Sequence, residues 1–235
     1  MTSIAEGRFQ TAIDSYWAIR EAQTAKQLAS GKADAGTRGS VTGGAHLHAL
    51  TELLGEIFIE NGFSRHSIRL RGMELPGFYR PTKNWDLVVV EGDLLVAAIE
   101  LKSQVGSVGN NFNNRTEEAI GNAIDLRRAY QAGLLGRVPP WLGYVFVLEE
   151  SPRSSNPVRI ASTPFDTDEV FAGTSYRDRY QVLCRRLVSD RLYDAACFVT
   201  SSRVPGSQMT QPDPALSFAA LQTAIAERAE FVRTL

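Results

Sequence analysis

The sequence predicts an α/β fold, a mixed central sheet flanked by helices. Three observations carry that expectation. Two nearly continuous apolar runs, WDLVVV and LLVAAIELK, flank the short turn EGD, which is the pattern of a hairpin covered on both faces. Two more apolar runs, WLGYVFVLEE and DAACFVTSSR, follow later in the chain. Between and around these runs the apolar residues recur at helical spacing instead.

Residues 4–29 read as a helix with Phe9, Ile13, Tyr16 and Trp17 near one face. The segment GKADAGTRGSVTGG contains five glycines and reads as a loop. A second helix is expected from Ala45 to Asn61, where Leu47, Leu50, Leu54, Ile57 and Phe58 form an apolar stripe. Gly62 stops it. Ser67–Leu70 reads as a short edge strand, and the hairpin follows. SQVGSVGNNFNN is expected to be a loop, with Thr116 as N-cap of a helix through TEEAIGNAIDLRRAYQAGLLG whose Ile120, Ile124 and Leu126 face inward. A polar connection, SPRSSNPVRIASTPFD, leads to a helix over Tyr176–Leu192, and a terminal helix ends near Thr234. With no internal repeat and no linker, one domain over residues 1–235 is the economical reading, with an N-terminal helical region and a C-terminal helix.

Composition narrows the class. The chain has 235 residues, and its 43% hydrophobic content is enough for a substantial core. Twenty-five basic residues face 26 acidic ones, a net charge of -1. That total does not mark a nucleic-acid binder, but a local basic cleft is compatible with it. The stretch from Phe63 to Lys83 is locally basic, with Arg65, Arg69, Arg71, Arg80 and Lys83 against Glu74 alone. Cys184 and Cys197 fall in a helix and a strand pattern and read as buried thiols without metal-binding spacing. The polar start MTSIAEGRFQ is no signal peptide, and no apolar run approaches the ~20 residues that span a bilayer. A reducing cytoplasmic compartment is the default expectation.

The chemistry concentrates in the hairpin. Glu100 and Lys102 are two apart in a strand and share a face, while Leu101 turns to the other. A glutamate and a lysine on an apolar strand are costly to bury without partners. A turn centred between Gly92 and Asp93 pairs Asp86 in the region of Ile99–Glu100. Two carboxylates brought together repel unless a cation lies between them. Hard oxygen donors with open positions suit Mg²⁺, and a neighbouring lysine can stabilise a hydroxide or charge growing on phosphorus. The same three groups could also be a salt-bridged strand end. Gln104 continues the parity. Glu52 and Glu56, one helical turn apart, are candidates to assist, Glu56 the nearer to the sheet. His46 and His48 point apart and are read as surface residues.

The block WDLVVVEGDLLVAAIELKSQVGSVGNNFNNRTEEAIGNAIDL, with the earlier GTRGSVTGG, resembles the type II restriction endonucleases of the Xho type. The run VGNNFNNRTEEAIGNA is its most specific part, and the likeness covers roughly residues 10–130. The resemblance implies a restriction-endonuclease-like core of the PD-(D/E)xK group, with Asp86 as the aspartate, Glu100 as the second acid and Lys102 as the lysine. Trp85 stands where the group has proline, so the aspartate rests on less than the full motif. Asp93 is a rival, placed in the hairpin turn away from Glu100. The resemblance further implies Mg²⁺-dependent cleavage of double-stranded DNA at CTCGAG, a two-fold homodimer, a prokaryotic cytoplasmic setting and a cognate DNA methyltransferase in the same system. Asn110, Asn111, Asn113, Asn114 and Arg115 are then candidate base or phosphate contacts, because asparagine can grip adenine and arginine guanine through two hydrogen bonds. Asx turns at a helix start account for the same asparagines. Gln104, Arg65, Arg69, Arg71 and Arg80 complete the candidate DNA face. The alternatives are a structure-specific or repair nuclease on the same core, and a non-catalytic DNA-binding protein on a degenerate nuclease fold.

Overall fold

The computed structural model describes residues 4–29 and 45–235 of the chain. The glycine-rich segment expected as a loop lies outside the described residues. Five strands form one sheet in the order β1-β2-β3-β4-β5: β1 (Ile68–Pro76), β2 (Thr82–Glu91), β3 (Leu94–Gln104), β4 (Trp141–Glu149) and β5 (Ala195–Ser201). The first three are antiparallel neighbours, and β3, β4 and β5 run parallel. The sheet is therefore mixed, as expected. Every residue of β4 and β5 is buried, which is the signature of a sheet covered on both faces.

Helices form the two covers. On one face lie α1 (Ile4–Ala29), α2 (His48–Glu60) and the C-terminal α5 (Phe218–Arg233). Phe9, Ile13, Leu50, Leu54, Ile57, Phe58, Phe218 and Ile225 pack there with Leu87, Val89, Ile99 and Leu101. Phe9 stacks on Phe218 at 4.2 Å between ring centroids, joining the two ends of the chain. On the other face lie α3 (Val108–Gln131) and α4 (Tyr176–Ser189), the crossover helices of the two parallel connections. Their Ala119, Ala123, Leu126, Tyr180, Leu183 and Cys184 pack with Val88, Ala98, Tyr144, Phe146 and Phe198. Cys184 and Cys197 are both buried free thiols.

Two departures from the expected elements matter for the site. The edge strand continues to Pro76 and pairs with β2 from Thr82 to Val89, beyond the expected Ser67–Leu70. Helix α3 begins at Val108, so the asparagine run occupies its first two turns and is not a loop. Ser107, with φ 41°, makes the turn into the helix, and no side chain caps it. The Thr116 hydroxyl donates to the Phe112 carbonyl within the helix instead of capping it. Phe112 explains the early start, since its ring packs on Tyr180 at 5.1 Å between centroids and near Tyr176 at 6.0 Å. Tertiary packing overrides the weak helix preference of asparagine and glycine. Ile124 is 38% exposed, and the inward positions are Ala119, Asn122, Ala123, Asp125, Leu126 and Ala129.

Register is set by two irregularities. Near the turn Val90 faces Leu95, but beyond it Val89 faces Ala97 and Leu87 faces Ile99, so Val96 is an extra residue in β3. Without it Asp86 would come opposite Ile99, on the wrong face, since a one-residue slip inverts every side chain. With it the next rung brings Asp86 beside Glu100. Arg228 of α5 holds the displaced strand: its Nε donates to the Val96 carbonyl and a terminal nitrogen to the Pro139 carbonyl, both at 2.9 Å. The second irregularity lies in β1 between Leu70 and Met73, directly opposite Asp86.

Candidate active site

The buried carboxylate of Glu100 is the hub. It is 3% exposed, on an apolar strand, and two lysines reach it. Lys83 Nζ lies 2.6 Å from one carboxylate oxygen, and Lys102 pairs with the other. Asn122 of α3 donates to that second oxygen at 3.4 Å. Asp86, half-buried, accepts the Leu101 backbone N–H at 2.8 Å, which fixes its carboxylate beside the Glu100 strand. Two carboxylates and two ammonium groups thus share one water-poor place, with balanced charge.

The balance is uneasy. Burial first, and then the charge of Glu100, hold the Asp86 carboxyl above its ordinary range. Burial pulls Lys83 below the usual lysine value despite Glu100. Burial acts on Lys102 in the same direction, but the charge and hydrogen bond of Glu100 more than offset it and raise Lys102. Two acids converging with oxygen donors in partial burial fit a hard divalent cation, which would relieve the strain on Asp86. Among the described residues no group of three or more His, Cys, Asp or Glu forms a closed metal cage. An ion here would rest on the two carboxylates and fill its other positions with water or substrate oxygen, the habit of Mg²⁺.

Helix α3 supplies the wall above this pair. Asn111, Asn114, Glu118, Asn122 and Asp125 recur at intervals of three and four and form one stripe. Asn122 touches Glu100, and the charge of Glu118 is felt by Lys102. Asp125, 2% exposed, accepts the backbone N–H groups of Phe78 and Tyr79, each at 2.8 Å, and Arg80 Nε at 2.6 Å.

Of the residues expected at the site, Asp86, Glu100 and Lys102 come together. Glu56 does not. Helix α2 covers the opposite face of the sheet, and Glu56 pairs there with Arg8 at 2.8 Å, beside Glu60. Glu52 pairs with His48 at 3.1 Å on the same helix. His46, read as a surface residue, is buried against Tyr16. Gln104 is buried and donates to the Gly106 carbonyl, shaping the turn into α3. Arg80 splits its guanidinium between Asp125 and Asn122, the latter at 3.0 Å. Arg69 is exposed on the edge strand and donates to the His66 carbonyl. Arg65 is exposed in the turn before β1, at the far end of the sheet from Pro76 and Thr82. Arg71 lies in β1, and its side chain is outside the described residues. Asn110, Asn113 and Asn114 are exposed, whereas Asn111 donates to the Ser107 carbonyl at 2.9 Å. Arg115 pairs with Glu118 at 2.6 Å.

Lys83, Asn122 and Asp125 were not among the expected site residues. In the sequence Lys83 is one of the cations of the basic stretch from Phe63 to Lys83. The available signal is Trp85 two residues on, a buried ring that lies 4.1 Å from Lys83 Nζ.

A mixed sheet with an acid on its second strand and Glu-x-Lys on its third is the arrangement of the PD-(D/E)xK group. Relationship by sequence makes the assignment specific. The family described as "Restriction endonuclease XhoI" matches residues 26–211. The type II restriction enzyme BstVI of Geobacillus stearothermophilus is 39% identical over 80% of this chain and 87% of its own. The type II restriction enzyme XhoI of Xanthomonas vasicola is 44% identical over 67% of this chain and 65% of its own. The type II restriction enzyme AbrI of Azospirillum brasilense is 43% identical over 64% of this chain and 69% of its own. The chain belongs to the XhoI family of restriction endonucleases. No solved structure matches it. Among the described residues, no helix is long and apolar enough to cross a membrane.

Proposed function

We propose that this chain is a Mg²⁺-dependent type II endodeoxyribonuclease that hydrolyses double-stranded DNA at CTCGAG. The observation that carries the chemistry is the junction of Asp86, Glu100 and Lys102 in one partly buried place, with Lys83 as a second cation. Asp86 and Glu100 hold the ion, which supplies positive charge beside the scissile phosphate when bound. Lys102 orients the attacking water and stabilises charge growing on phosphorus. Lys83 pairs with Glu100 and holds it aimed. Asn122 and Leu101 fix the two carboxylates by hydrogen bonds. The products carry 5′-phosphate and 3′-hydroxyl ends, as the family resemblance implies.

The palindrome implies a two-fold homodimer with one site for each strand. A cognate DNA methyltransferase protects the host site in a cytoplasmic, prokaryotic system. Digestion of a sequenced plasmid tests this directly. Discrete fragments with Mg²⁺, none with chelator, and mapped ends within CTCGAG are expected. A smear of products overturns site specificity and favours a structure-specific nuclease.

Sequence reading is assigned to the first turns of α3. Asn110, Asn113 and Asn114 share an exposed face at spacing suited to a helix laid in a major groove. Arg115, Arg69 and Arg80, with Arg65 farther along, supply phosphate contacts. Asn113→Ala is expected to lower the ratio of cognate to scrambled-site affinity by about 1–3 kcal/mol, measured without Mg²⁺. Asn111→Ala should do less, because its amide is engaged within the helix. Equal loss on both duplexes would make Asn113 a phosphate contact.

A further inference from the structure

We propose that the β1–β2 turn, Gly77–Arg80, is a rigid aromatic wedge that packs against duplex DNA beside the bond to be cut. The inference rests on the nuclease reading and adds a contact to it. Phe78 is 44% exposed and Tyr79 69%, and their rings meet edge to face at 5.0 Å. Exposed aromatic rings on a turn are ordinary when the turn is loose. This one is clamped. The buried Asp125 carboxylate takes the N–H groups of Phe78 and Tyr79 and the Arg80 guanidinium. The Gly77 N–H donates to the Pro81 carbonyl at 3.2 Å and closes the turn. The packing at Gly77 admits no side chain, since a Cβ there would lie 2.6 Å from the Arg80 carbonyl oxygen and 2.8 Å from an Asp125 oxygen. A buried carboxylate thus holds two rings out in solvent, with the entropy of ordering the turn already spent on folding.

Position and charge identify the occupant. The turn closes β1 and β2 at the end where β2 leads to Asp86 and β3 ends at Gln104. Arg80 reaches Asn122, and Asn122 reaches Glu100, so one side chain separates the wedge from the central carboxylate. Arg128 lies over Phe78 at 4.9 Å, and Arg80, paired with Asp125, follows Tyr79 in the turn. The acid beneath is buried and already paired. Apolar rings rimmed by cations match a nucleic acid, whose bases and sugars present flat faces between phosphates. Aromatic and apolar wedges at base steps are an established means of seating a protein on a duplex.

The test uses the full chain and a fluorescein-labelled duplex carrying CTCGAG, with chelator present, titrated by anisotropy over a salt series. The Phe78→Ala/Tyr79→Ala variant is expected to bind on the order of tenfold more weakly or worse at every salt concentration. The slope of log affinity against log salt should stay at the parent value, because rings release no counterions. Tyr79→Trp should bind as the parent does. Tyr79→Ser alone, at an exposed ring, keeps the question open to test if the double variant does not fold, and should weaken binding in the same direction. Sedimentation should show the parent oligomeric state in each variant. Parent-like duplex affinity in Tyr79→Ser overturns the wedge, and so does loss of affinity that accompanies dissociation of subunits, which would make the turn a contact between copies of the chain. A parent chain that cleaves plasmid alongside either of those results leaves the nuclease reading standing. A parent that neither binds nor cleaves overturns both.

Discussion

Lys102→Ala is expected to lower the single-turnover cleavage rate by about 10²–10³-fold while leaving duplex affinity near the parent value. The geometry separates the two effects. Lys102 shares its face with Glu100 and pairs with it, so its ammonium lies beside a carboxylate proposed to hold the ion. Burial works against that charge, but Glu100 more than offsets it and raises Lys102, so the group is a cation at neutral pH. A cation fixed there acts as a donor to water and to phosphate oxygen, not as a base. Lys83 cannot take over the role. It occupies the other Glu100 oxygen, donates to the Asn84 carbonyl at 3.0 Å and lies over the Trp85 ring. Because Lys83 still satisfies Glu100, the variant should fold. The measurement is single-turnover cleavage at saturating enzyme, with affinity determined separately in chelator. A rate near that of the parent would remove Lys102 from the chemistry.

The parity that brings Glu100 and Lys102 together is visible in the sequence, because alternation in a buried strand is steric. The facing of Asp86 is not. It depends on the extra residue at Val96, and nothing in LLVAAIELK distinguishes Val96 from its neighbours. What holds the bulge is Arg228, more than a hundred residues later in the chain. Lys83 was hidden for a related reason. Strict alternation puts it on the face away from Asp86. Yet Trp85 and Val88, three apart, pack in the same cluster, because the irregularity in β1 twists β2 at that point. The asparagine run misled through composition. Asparagine and glycine favour turns, and only the packing of Phe112 against α4 makes those residues helical. Glu56 is near the sheet along the chain, but chain proximity carries no information on which face of a sheet a helix covers.

Asp86→Asn is expected to reduce Mg²⁺-dependent cleavage by roughly a thousandfold or more, the loss of the several kcal/mol that a bound metal contributes, and at the same time to raise the melting temperature of the chelated protein. Both follow from one arrangement. The replacement amide oxygen can still accept the Leu101 N–H, so the strand pairing survives. What disappears is a negative charge that is half-buried beside Glu100. Burial and then Glu100 raise the Asp86 carboxyl above its ordinary value in the folded chain. A raised carboxyl favours folding where both states bind the proton, below the ordinary carboxylate range. That contribution is lost as pH rises through the folded-state value, because the unfolded state releases the proton first. At neutral pH without metal, ionised Asp86 therefore counts against the fold, and the amide does not. The difference in melting temperature between variant and parent should shrink as pH falls below the folded-state value. Addition of Mg²⁺ should reverse the order, since an ion that binds only the folded parent stabilises it by mass action. The decisive measurement is a pair of thermal melts for each protein, with chelator and with Mg²⁺. Equal stabilisation of both proteins by Mg²⁺ would show that the ion does not rest on Asp86, and a parent-like cleavage rate in Asp86→Asn would move the metal ligand elsewhere.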